Sequence, residues 1–342
     1  MSFKYLKKIP TVEELTSELP VPETCVAVKK KRDHEIAEVI TGASDRFLVI
    51  IGPCSAHDEV AVLKYVSKLA GVNERVQEKL IIIPRMYTNK PRTTGEGYKG
   101  MAHQPDPMKE PDITEGIRAI RQMHIKSLCE NGLSAADEML YPENYPYLED
   151  LLSYVTVGAR SVENQHHRLT ISGLEVAAGM KNPTSGDLSV MFNAVYAAQL
   201  PHVFVYRHFE TQTTGNPLAH CILRGAVNHF GHSIPNYHFE DLQNCAKQYG
   251  GRGLTNPSII VDTNHSNSNK QYMEQPRIAF EIMESRKKSP LIRSVVKGLM
   301  VESFLLNGNQ KPGGTEFGKS ITDPCIGWEE TEDLILRLAD LV

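Results

Sequence analysis

No stretch of this 342-residue chain approaches the roughly 20 consecutive apolar residues that a membrane span requires. The N-terminus, MSFKYLKKIPTVEEL, lacks the apolar core of a signal peptide, so the cytoplasm is the expected compartment. Charge of one sign is also scarce. The net charge of −4 is too small a field to recruit nucleic acid or an acidic membrane, and neither is an expected partner. Cysteine is sparse and irregular: six residues, at 25, 54, 129, 221, 245 and 325, form no C-x-x-C pair. That argues against a disulfide framework, and most of the six read as buried hydrophobes. There is no low-complexity segment, and no repeat beyond the alternation described next.

What is present is a rhythm. Short β-rich runs alternate with amphipathic helical patterns: FLVIIGPC (47–54), KLIIIPRMY (79–87), SAADEML (134–140), YVTVGARS (154–161), EVAAGMKN (175–182), HVFVYRHF (202–209), SIIVDTNH (258–265) and VKGLMVES (296–303). Near-continuous apolar strands separated by helices imply a parallel sheet covered by helices. Eight units in about 300 residues fit an α/β fold of the (β/α)8 TIM-barrel type better than an open doubly wound sheet. The expected organisation is an N-terminal extension over residues 1–45, with a helix near 33–41, followed by a catalytic barrel over 46–342.

The strands end on functional groups: Cys54, Arg85, Glu138, Arg160, Lys181, His265 and Glu302. In a barrel these positions share the C-terminal rim, where active sites of this fold lie. They sort into two sets. Arg85, Lys90, Arg92, Arg160, Lys181 and Arg224 are cationic, more than one phosphate needs, and suit two phosphates or a phosphate and a carboxylate. Cys54, His265, Glu302 and Asp323 are potential metal ligands, three of them ending strands one, seven and eight, which become neighbours on closure. A thiolate donor favours a divalent transition ion (Mn, Fe, Co or Zn) over magnesium. Cys54 as a nucleophile, with His265 as its base, is the competing reading. It leaves the cations and both carboxylates without a role.

GGTEFGKS (313–320) satisfies the G-x-x-x-x-G-K-[ST] phosphate-loop pattern, but no strand runs directly into it, and Pro324 precludes a helix directly after it. A glycine-rich loop over the barrel mouth is the simpler reading.

The segments IGPCSAHD, RMYTNKPRTTGEGYKG, GARSVENQHHR, GMKNPTSGD, HCILRG, DTNHSNSN, MVESFLLNGNQ and GKSITDPCIGWEET resemble the class I (type Iα, microbial) 3-deoxy-D-arabino-heptulosonate 7-phosphate (DAHP) synthases, from about residue 40 to the C-terminus. The resemblance implies the barrel, and a transferase that condenses phosphoenolpyruvate with erythrose 4-phosphate at the entry to aromatic amino-acid biosynthesis. It implies Cys54, His265, Glu302 and Asp323 as metal ligands. Arg160, Arg224 and the Ala159 N–H would hold the phosphoenolpyruvate phosphate, and Arg85, Lys90 and Lys181 its carboxylate. Arg92 and Thr93 would take the erythrose phosphate, and Glu138 a water. The group that activates this water is expected among Glu138, Lys90 and His265. A homodimer or homotetramer is implied as well. Two departures stand out: GEGYKG is one residue longer than the usual V-G-W-K-G, and Tyr141 and Tyr145 replace the expected Asp and Pro in a region that forms the feedback-inhibitor pocket of enteric relatives. No particular aromatic inhibitor is therefore expected. The five-carbon-sugar relatives, the 3-deoxy-octulosonate 8-phosphate synthases, carry K-A-N-R-S where this chain has K-P-R-T.

Overall fold

The structure is a computed structural model and describes residues 2–342. Eight parallel strands build the barrel: β1 (Phe47–Gly52), β2 (Leu80–Pro84), β3 (Ala135–Glu138), β4 (Leu152–Val157), β5 (Ala177–Lys181), β6 (Ala219–Leu223), β7 (Ile259–Asp262) and β8 (Val296–Glu302). They pair in the order β2-β1-β8-β7-β6-β5-β4-β3, and a bridge between Arg85 and Ala136 closes the sheet at the β2–β3 seam. Alternation along each strand explains the unbroken apolar runs. Leu48, Ile50, Ile81, Ile83, Tyr154 and Ile260 fill the interior, while Val49, Ile51, Ile82, Val155 and Val261 meet the surrounding helices. Both faces are dry, so both must be apolar. Gly298 is required inside: a Cβ there would lie 2.5 Å from the Leu48 carbonyl oxygen.

The extension is more helical than the sequence suggested. Helix α1 (Val12–Glu18) opens with a capping box between Thr11 and Glu14, and α2 runs from Glu23 to Thr41 rather than only from 33. It stops where Gly42 takes a left-handed conformation, φ 82°. Its Ile36, Val39 and Ile40, spaced i, i+3, i+4, plug the interior cluster at the N-terminal end of the barrel. The run KKKR (29–32) hid the first half of this helix, because its buried member is an arginine. Arg32 pairs with Glu35 at 2.9 Å and donates to the Ile82 carbonyl.

Two expectations are corrected. HVFVYRHF is not the sixth barrel strand. Val203–Tyr206 pairs with Phe209–Gln212 as an antiparallel hairpin outside the barrel, with Val203, Val205 and Phe209 exposed. The sixth strand is AHCIL, whose inward His220 disguised it. His220 Nε2 lies 2.6 Å from the Tyr154 hydroxyl and its Nδ1 2.8 Å from the Leu218 carbonyl, so the buried imidazole is satisfied. Second, the cysteines are not all free thiols: Cys25 on α2 is joined by a disulfide to Cys129 on the helix Ile113–Asn131, with Cα atoms 5.3 Å apart. The two helices pack side by side, which 104 residues of separation conceal. No helix among the described residues is long and apolar enough to cross a membrane.

Candidate active site

At the C-terminal rim, Gly52 lets two strand ends approach: a Cβ on it would lie 2.3 Å from the Arg85 carbonyl oxygen. The turn it begins delivers Cys54, fully buried, into the mouth. Arg85 follows β2, stacks on the Tyr87 ring (3.7 Å to the centroid), donates to the Pro53 carbonyl and reaches Glu302 Oε1 at 3.1 Å. Glu302 ends β8, and its second oxygen accepts from Asn264 Nδ2 at 2.5 Å. Gln275 brackets its backbone, accepting from Glu302 N and donating to Glu302 O, both at 2.8 Å. An ion pair this buried is held in one geometry by these bonds to the Pro53 carbonyl, Asn264 and Gln275.

Asp323, in the loop after β8, brings a carboxylate oxygen to 3.6 Å from Cys54 Sγ. One ligand atom each from Cys54, Glu302 and Asp323 lies within 4.8 Å of the others. The Lys90 ammonium sits in the same cluster, 2.6 Å from Cys54 Sγ and 3.3 Å from Asp323 Oδ2. Burial, then the Glu302 charge, pushes the Cys54 thiol up to about 11, with Lys90 opposing. Asp323 stays well below the usual carboxylate range despite burial, held there first by Lys90 and then by Lys270 and His265. A soft thiol and two carboxylates drawn together around positive charge suit a divalent transition ion, which would deprotonate the thiol outright.

His265 stands apart from these three. It follows β7 in a left-handed conformation (φ 48°), and its Nδ1 lies 2.8 Å from Asp262 Oδ2. Lys181, at the end of β5, reaches the same oxygen at 2.9 Å. Asp262 is thereby kept ionised in spite of its burial, His265 and Lys181 both lowering it. Arg224 follows β6 with Nη1 3.5 Å from Ser266 Oγ, and Asn182 Oδ1 fixes its backbone N–H at 2.9 Å. Arg160, exposed after β4, reaches the Pro91 carbonyl at 3.0 Å and Thr93 Oγ1 at 3.4 Å. Ala159 beside it is half-buried. Arg92 instead turns to the Tyr98 carbonyl, at 2.8 Å. Glu138 ends β3 in space that Gly158 leaves open, since a Cβ on Gly158 would lie 2.1 Å from Glu138 Oε1.

Sequence reasoning missed Asp262, Tyr87, Asn264 and Gln275. Asp262 carried a signal, a carboxylate at a strand end three residues before His265. Tyr87, Asn264 and Gln275 carried none, because they act on other protein groups. The phosphate-loop pattern at 313–320 has no helix behind it: the next helix, Trp328–Leu341, begins eight residues later, and Lys319 Nζ pairs with Glu316 at 2.8 Å.

Residues 23–336 match the DAHP synthetase I family. A phospho-2-dehydro-3-deoxyheptonate aldolase of Haemophilus influenzae is 37% identical over 336 residues, covering 96% of this chain and 90% of that protein. The phenylalanine-inhibited enzyme of the same name from Saccharomyces cerevisiae is 39% identical over 325 residues, covering 91% and 85%. The structure of a phospho-2-dehydro-3-deoxyheptonate aldolase from Francisella tularensis superimposes with a TM-score of 0.92 at 33% identity, covering 100% and 98% of the two chains.

Proposed function

The chain belongs to the DAHP synthetase I family, and from that premise we propose that it condenses phosphoenolpyruvate with erythrose 4-phosphate and water to give DAHP and inorganic phosphate, at the entry to aromatic amino-acid biosynthesis. The observation that carries this reading is the convergence of Cys54, Glu302 and Asp323 beside Lys90 and Arg85 at the C-terminal rim.

Cys54, Glu302 and Asp323, with His265 as a fourth donor from β7, would hold one divalent transition ion (Mn, Fe, Co or Zn). When bound, such an ion supplies Lewis acidity toward an aldehyde oxygen. The protein groups do the rest. Arg160, Arg224 and the Ala159 N–H bind the phosphoenolpyruvate phosphate; Arg85, Lys90 and Lys181 bind its carboxylate; Arg92 and Thr93 bind the erythrose phosphate. Holding two anions together against their repulsion is both a proximity and an electrostatic contribution. C3 of phosphoenolpyruvate then bonds to the aldehyde carbon, and C2 becomes electron-poor. A water ordered by Glu138 adds at C2, its proton passing to the Glu138 carboxylate. The hemiketal phosphate breaks its C–O bond and releases phosphate.

A homodimer or homotetramer is part of the proposal. The exposed Phe3, Tyr5 and Leu6 of the N-terminal arm and Val203, Val205 and Phe209 of the hairpin support it. The test is phosphoenolpyruvate consumption dependent on erythrose 4-phosphate, before and after chelation. Activity should vanish on metal removal and return on adding a divalent transition ion; activity that survives complete removal refutes the donor set. Cys54→Ser should lose at least tenfold in metal affinity with the circular dichroism unchanged, and full metal content in that variant is the opposite result.

A further inference from the structure

The barrel closes weakly at one place. β2 and β3 are the two ends of the strand order, joined by the Arg85–Ala136 bridge rather than by a ladder. The groups on either side of this seam are those the chemistry depends on: Lys90 and Arg92 in the loop after β2, and Glu138 at the end of β3. Asp137 spans the seam. Its Oδ1 accepts the Thr88 N–H at 2.8 Å and the Glu138 N–H at 2.7 Å, and its Oδ2 accepts from the Thr88 hydroxyl. The residue is buried, 4% exposed. Behind it, on the helix Ile113–Asn131, His124 presents Nε2 at 3.9 Å from Asp137 Oδ2, with neither ring nitrogen otherwise bonded. A carboxylate buried between a strand end and the helix layer, away from the solvent on which the rim groups open, is costly unless its acceptors are used. Here they are used to fix one backbone N–H at the end of β3 and one in the loop after β2.

We infer that Asp137 is a positioning residue: it ties Glu138 to the neighbouring strand through Thr88, and so fixes the carboxylate that orders the attacking water. This rests on the role given to Glu138 above. A side-chain tie does here what ladder bonds do at the other junctions, and the Glu138 backbone has no other partner across the seam to hold its direction.

The test is a mutant cycle read by steady-state kinetics. Asp137→Asn keeps Oδ1 and both backbone bonds, and its new amide donates to the Thr88 hydroxyl, so it should stay within threefold of the wild-type kcat. Asp137→Ala should lose at least tenfold in kcat, with the KM for phosphoenolpyruvate within threefold. In a Glu138→Gln background the same Asp137→Ala change should cost less than threefold, because the group it positions is already disabled. Should Asp137→Ala fail to fold, Thr88→Val removes only the hydroxyl half of the tie and should lose about threefold in kcat. Wild-type kcat in Asp137→Ala or, in its place, Thr88→Val overturns the inference. So does an equal loss in both backgrounds, or an Asn variant as slow as the Ala variant. If Glu138→Gln itself runs at the wild-type rate, the role given to Glu138 fails and the tie falls with it. A slow Glu138→Gln beside a normal Asp137→Ala refutes the tie alone.

Discussion

Reducing the Cys25–Cys129 bond should soften the molecule without silencing it. The bond closes a loop of 104 residues between α2 and the helix Ile113–Asn131. Chain-entropy arguments give a closure of that size about 4.7 kcal/mol of stabilisation at 25 °C, acting through the unfolded state. For 342 residues, an unfolding entropy near 2.1 cal/mol/K per residue sums to about 0.7 kcal/mol/K, so losing the bond should lower Tm by roughly 6–7 °C. The assay is a thermal scan with and without a phosphine reductant, alongside an alkylation count: four cysteines should react in the denatured oxidised protein, six after reduction. Cys129→Ser should start at the lower Tm and ignore the reductant. That variant separates the bond from any effect of reductant on Cys54. A wild-type Tm that moves less than 1 °C on reduction, with the alkylation count rising from four to six, refutes the reasoning.

Two further expectations concern the barrel interior. Burial lowers the His220 imidazole to about 4, from an ordinary value of 6.5. Above pH 6.5 it is neutral folded and unfolded; below, the unfolded chain takes up a proton that the folded one refuses. Its contribution to stability should therefore fall between pH 6.5 and 4, by about 3 kcal/mol in all, and urea titrations of His220→Gln should lack that component relative to wild type. Ile40, 1% exposed in the plug, should cost about 3 kcal/mol when cut to alanine, a Tm drop of roughly 4 °C. The kcat at 25 °C should be unchanged; a tenfold fall would mean that the plug reaches the chemistry.

The sequence made visible what water exclusion imposes. FLVIIG and LIIIP are apolar on both faces because both are buried, and the groups that follow them stand out by contrast. Cys54 and Glu302 are legible in this way, and Asp323 through its chemistry in the loop after strand eight. AHCIL hides in the sequence because an inward histidine satisfied by a tyrosine is indistinguishable, residue by residue, from a polar break. HVFVYRHF reads as a barrel strand because an exposed hairpin with apolar side chains has the composition of a core strand. Asp137 leaves no trace for another reason: it serves Thr88 across the β2–β3 seam, and pairings across a barrel leave no local period. The disulfide is the extreme case, two residues related only by the packing of their helices.

The hairpin Val203–Gln212 lies between the helix Leu188–Gln199 and β6, and so at the end of the barrel opposite the rim. The α2 plug is at that end too, and Arg207 of the hairpin bonds to Glu13 of α1. The extension and the hairpin thus hang from the floor, while the chemistry hangs from the roof. A strand such as β8, seven residues long, separates the two by about 23 Å. Insertions, truncations and new surfaces can accumulate below without touching a reacting atom. By the same separation, any control exerted from below must arrive as a shift of whole strands, one that moves Glu302 or Lys181 without breaking the ladders that carry them.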